Sequence, residues 1–88
     1  MAEQTRPLSL NIGGMYYEGD LNNLSDSGIY DLNLSTTSLP PNVDANASSV
    51  FVLKHDNDNI KQLFLGRSVE MYYRTKRGGT WNEWEALM

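Results

Sequence analysis

From residue 50 onward the chain is a succession of short alternating runs: "VFVLKH" and "KQLFLG" on either side of "DNDN", then "VEMYYRT", then "GTWNEWEAL" after Gly78-Gly79. Alternation at period two, broken by Asn, Asp and Gly, specifies antiparallel strands joined by tight turns. No stretch holds helical spacing long enough to specify a helix. The 88 residues therefore read as a mainly β protein: a small antiparallel β-sandwich or distorted sheet, with an N-terminal arm and one short helical turn.

In "DLNNLSDSGIY", Asp20 is placed to cap a helical turn reaching Leu24, and Ser25-Asp26-Ser27-Gly28 supplies a tight turn. A strand is predicted over residues 29–34, with Tyr30, Leu32 and Leu34 on one face and Asp31 and Asn33 on the other. The polar "STTSLPPNVDANASS", residues 35–49, is a long connection stiffened by Pro40-Pro41; connections of that length are usually functional or disordered. "VFVLKH" is apolar on both faces at its start, which puts it mid-sheet. In "VEMYYRT", Val69, Met71 and Tyr73 share one face, and Glu70, Tyr72 and Arg74 the other. Residues 1–19 read as an arm, with "LSL" available as an edge strand, and residues 20–88 as the β domain.

Size limits what such a domain can do. A chain this short buries about 60–65% of its unfolded surface, and roughly 1.5 kcal/mol of entropy per ordered residue nearly cancels burial at about 25 cal/mol per Å². Without cysteines there is no disulfide, thiolate metal site or Cys nucleophile, so self-association is the staple left. Eleven acids against seven bases argue against a phosphate-driven nucleic-acid binder, although Arg74, Lys76 and Arg77 form a local basic patch. "MAEQTRPLSL" lacks a basic region followed by an apolar run, and no segment approaches a membrane span. The expectation is a protein made soluble inside a cell, with no cofactor, metal, nucleic acid or membrane insertion.

"HDNDNI" carries Asp56 and Asp58 two apart but lacks the Gly and distal Glu of a calcium loop, so a hairpin turn is the better reading. His55 has no nucleophile at triad spacing and reads as structural. Glu83 and Glu85 would stand about 7 Å apart on one side of an extended strand, within the range of an inverting glycosidase, yet nothing sets their titrations apart. The concentrated aromatic surface of "YYRTKRGGTWNEW" says more. In a continuous strand Trp81 and Trp84 face opposite sides unless a bulge turns both one way. They form either a core belt with a subunit contact or a sugar platform, in which aromatic faces stack on pyranose rings while Arg74, Asn82 or Glu83 bonds hydroxyls.

"DLNNLSDSGIY", the strand followed by "KQLFL", and "MYYRTKRGGTWNEWEAL" resemble the knob-type module at the C-terminal tips of phage tail fibres and R-type pyocin tail fibres. The resemblance covers roughly residues 20–88. It implies a compact antiparallel β-sandwich or distorted sheet, commonly trimeric, contributing to contact with host-surface glycan. Tyr73, Arg74, Trp81 and Trp84 fall on its signature positions and read as fold-defining. Tyr73, sharing a face with Val69 and Met71, is expected in the core; Arg74 points the other way and is expected to stack on a Trp.

The leading expectation is a non-enzymatic virion component, a tail-fibre knob or small accessory protein made in the host cytoplasm. It would assemble as a homotrimer and help recognise host-surface polysaccharide through Tyr72, Arg74, Trp81, Asn82 and Trp84, with His55, Asp56 and Asp58 as loop specificity candidates. The alternative is a purely structural protein that trimerises, caps or decorates the particle; a glycan-degrading module comes third. Only about twenty residues precede the matching part, too few for a shaft. The chain is thus expected to be a fragment or a stand-alone product, docking to other virion or tail proteins through residues 1–19.

Overall fold

The alternating runs are strands, and they pair in chain order. The computed structural model describes residues 16–87, in which β1 (Tyr16–Tyr17) and a 3-10 turn (Leu21–Asn23) precede β2 (Gly28–Leu32), β3 (Ser49–Asp56), β4 (Asn59–Leu65), β5 (Met71–Arg77), β6 (Thr80–Trp81) and β7 (Glu85–Ala86). The arm's "LSL" lies outside the described residues, whereas Tyr16–Tyr17 is part of the sheet. The strands form one seven-stranded sheet in the order β1-β2-β3-β4-β5-β6, with β7 also on β5. It is mixed, since β1 pairs with β2 in parallel and the other pairs are antiparallel. β3 lies mid-sheet, as its two-sided apolar start requires.

Of the two expected architectures, the distorted sheet forms. A second layer of irregular chain takes the place of a second sheet: the 3-10 turn and the connection after β2. Asp20 caps the turn, its carboxylate accepting from the Asn22 amide at 2.8 Å and from the Ser38 hydroxyl. These hydrogen bonds hold its carboxyl below the usual carboxylate range, Ser38 contributing most. The Leu21 amide bonds Thr37 O and the Thr37 amide bonds Gly19 O, so turn and connection hold each other. The connection packs Thr36, Pro40, Ala45 and Ser48 inward, all buried. Between the layers lie Leu21, Leu24, Tyr30, Leu32, Val50, Val52, Ile60 and Phe64. β2 stops at Leu32, and Leu34, predicted to share its face, is exposed, because the chain turns there through Asn33, whose side chain accepts from the Ser35 amide.

Two hairpins close by different means. At Asn57-Asp58 neither residue has positive φ. Instead the Asp56 carboxylate accepts from the Asp58 amide and the Asn59 side chain, both at 2.9 Å, and a bulge at His55 takes up the strand twist. At Gly78-Gly79 both residues are left-handed, φ 60° and 86°, the two-residue turn that matches the twist directly. A Cβ at Gly78 would meet no atom within 4 Å, so substitution there tests backbone conformation alone. Gly78→Val is expected to cost about 1–2 kcal/mol and Gly78→Asn only a few tenths, read as a shift in urea midpoint at constant slope; equal losses for both would contradict this.

Candidate functional site

The opposite faces of β5 decide what is buried and what is offered to a partner. Cross-strand register sets Tyr30, Val50, Phe64 and Tyr72 in one row and Gly28, Val52, Gln62 and Arg74 in the next. This is the core face, and Arg74 on it is only 6% exposed. Ile29, Phe51, Leu63 and Tyr73 form a row on the other face. The expectation that Tyr73 lies in the core is thus corrected: Tyr72 and Arg74 face the core and Tyr73 faces away from it. Val69, which shaped that expectation, precedes the strand and is exposed.

Arg74 is held on three sides. Its guanidinium carbon lies 4.1 Å from the ring centroid of Trp81 and 4.4 Å from that of Trp84, a cation between two indoles. Its Nε donates to Gln62 Oε1 at 3.0 Å. Fully buried Gln62 in turn donates from Nε2 to the carbonyls of Leu21 and Leu24, at 2.8 and 2.9 Å. Burial pushes the guanidinium down to about 10, against the opposing pull of the Asp20 carboxylate, so Arg74 remains a cation at neutral pH. Nη2 is buried without a hydrogen-bond partner among the described residues.

Both indoles reach Arg74 because the returning strand carries one extra residue. Trp81 pairs with Lys76 and Glu85 with Tyr73, leaving Asn82, Glu83 and Trp84 opposite only Thr75 and Arg74. The bulge turns Trp84 to the face of Trp81. Trp81 Nε1 donates to Asn22 O and Trp84 Nε1 to Ser38 O, each at 3.1 Å, and Trp84 meets Phe64 edge to face at 6.1 Å. The sequence-predicted Arg74, Trp81 and Trp84 are thus brought together with both indoles half-buried and their N–H groups engaged inside the domain. Tyr72 is half-buried against Phe64. Asn82 is exposed, its amide donating to Thr75 Oγ1 at 2.9 Å.

Glu83 sits in the bulge, while Glu85 lies in β7 opposite Tyr73. His55, Asp56 and Asp58 gather at the β3–β4 hairpin, where the Asp58 carbonyl accepts from the Gly79 amide of the neighbouring hairpin at 3.1 Å and His55 Nε2 lies 4.0 Å from the Asp56 carboxylate. Among the described residues no three His, Asp or Glu side chains converge as metal ligands. Gln62 was missed as a site residue. Its signal was a polar side chain alternating with apolar Ile60 and Phe64 on a face that must be dry.

No protein-family model matches the sequence, and no curated protein is similar to it. A solved structure does share the fold: a C-terminal fragment of the R1 pyocin fibre of P. aeruginosa superposes with a TM-score of 0.75 over 91% of this chain at 17% identity. The chain spans 23% of that fragment's length.

Removing the cation tests the stack. Arg74→Met leaves Gln62 Oε1 buried and unpaired and forfeits both ring contacts, so a loss of about 2–4 kcal/mol is expected. Arg74→Lys keeps the charge without the planar fork and should recover less than half of it. Urea titration reads both, and wild-type stability in Arg74→Met would contradict the assignment.

Proposed function

We propose that the chain is a non-enzymatic module of a tail fibre of the phage or pyocin kind, carried on the particle, assembling with copies of itself and contributing to contact with host-surface glycan. The likeness in fold to the R1 pyocin fibre fragment, over 91% of the chain, carries this reading, and the residue pattern of the aromatic end supports it independently. The apolar row Phe51, Leu63 and Tyr73, continued by Leu65 and Met71 on the same face, all half-buried beside buried Ile29, supports self-association. A single-layered sheet has one face for its core, and an apolar second face fits a further copy. Attachment to other tail proteins through residues 1–19 belongs to the same proposal.

The purely structural reading, in which the module trimerises or caps a particle without touching a receptor, is favoured by one observation. The two indoles and Arg74 are committed to packing. If glycan is bound, the exposed residues beside the stack, such as Asn82, and the hairpin set His55, Asp56 and Asp58 are better placed than the buried guanidinium. Light scattering over a dilution series is expected to show a persistent trimer. Leu63→Glu, which puts a charge in the middle of the open face, should yield a folded monomer; a wild-type monomer at every concentration would sink the self-association proposal.

A further inference from the structure

Lys54, Lys61, Lys76 and Arg77 line one groove of about 460 Å³ at the β3–β4 hairpin end of the sheet; register puts Lys61 and Arg77 on its open face and Lys54 and Lys76 on the other, where Lys54 lies 3.8 Å from Asp26 and Lys76 6.0 Å from the Trp81 ring. Among the described residues no Asp or Glu lines it, although the chain as a whole carries a net charge of −4. Register shows how it is built. Leu53 stands opposite Lys61, and Lys61 opposite Thr75. Asn59 and Arg77 lie two residues further along their strands and therefore on the same face, and His55 joins them from the bulge. Lys61 and Arg77 are diagonal neighbours across β4 and β5, roughly 7–8 Å apart at the backbone, a span long side chains can close on one ligand.

Their charges are not neutralised locally. Among the described residues no carboxylate pairs with Lys61, Lys76 or Arg77, whereas Lys54 lies 3.8 Å from Asp26. The nearby Asp56 carboxylate is engaged by the Asp58 amide and the Asn59 side chain. The polar groups are also poised for hydroxyls. Thr75 Oγ1 accepts from the Asn82 amide, leaving its own proton to donate, and Asn59, having given one N–H to Asp56, keeps its carbonyl oxygen to accept.

We propose that this groove binds an anionic sugar, one bearing a carboxylate or a phosphate ester on a polysaccharide. Lys61 and Arg77 bracket the anion, Thr75 and Asn59 bond neighbouring hydroxyls, and Leu53, 63% exposed, supports an apolar C–H face of the ring. This rests on the glycan-contact reading and narrows it to acidic glycans held away from the tryptophans.

The test is an amide NMR titration of the full 88-residue chain with four probes: a glucuronate-containing hexasaccharide, a mannose oligosaccharide phosphate, neutral maltohexaose, and inorganic phosphate. At least one acidic oligosaccharide should shift amides within residues 53–61 and 75–77, weaken as salt is raised, and bind roughly tenfold or more weakly to K61Q/R77Q. Both positions are exposed, and an unchanged spectrum elsewhere checks the variant's fold. Inorganic phosphate binding as tightly as the oligosaccharides would overturn the proposal by showing a site for the free ion alone. So would acidic probes that bind wild type and variant equally, or that fail to bind. Maltohexaose bound at other residues would overturn the groove while leaving the glycan-contact reading standing.

Discussion

A planar cation between two indoles, in a domain with little apolar volume to bury, is the interaction on which the other parts converge. Arg74 takes a position that alternation would give to an aliphatic side chain, yet it reaches more of the fold than an aliphatic could. Gln62 carries its hydrogen bond to the carbonyls of the 3-10 turn. Trp81 and Trp84 carry theirs to Asn22 and Ser38. The sheet centre, the returning C-terminal strand and the irregular second layer are therefore tied at one point. A buried charge is costly unless it is paired or bonded; here two ring faces and a fully buried amide supply the compensation, with Asp20 adding a favourable field.

The strands, hairpins and capped turn were legible because each rests on local chemistry. Alternation marked β3 to β5, Asp20 marked the cap, and Gly78-Gly79 marked a left-handed turn. What stayed hidden was tertiary. The core face of β5 could not be assigned by counting apolar residues, because the buried face carries the polar pair Gln62 and Arg74 while Val69 falls outside the strand. The bulge that unites Trp81 with Trp84 was recognisable only as an alternative, since one extra residue on a returning strand leaves no compositional mark. The connection after β2 looks like a polar loop, yet it covers the core because Thr36 and Ser48 are buried within its own turns.

This arrangement divides the molecule's surfaces. The aromatic residues that first suggest a sugar platform are largely engaged in holding the fold. The second sheet face carries half-buried apolar residues beside buried Ile29, and its hairpin end carries Lys61 and Arg77, which pair with no carboxylate among the described residues. The proposed self-association and ligand contact would use adjoining parts of one face, Phe51 and Leu63 toward the middle and Lys61 and Arg77 toward the hairpin.

The most direct test of the central claim is the side-chain NMR spectrum of Arg74 in the native protein. Between two indole faces, its Nε–H should exchange slowly and its δ-methylene protons should be displaced upfield by ring currents. Contacts from those protons to both Trp81 and Trp84 are predicted as well. A rapidly exchanging Nε–H with methylene shifts like those of Arg67, an exposed arginine, would contradict the account and return the tryptophans to the surface.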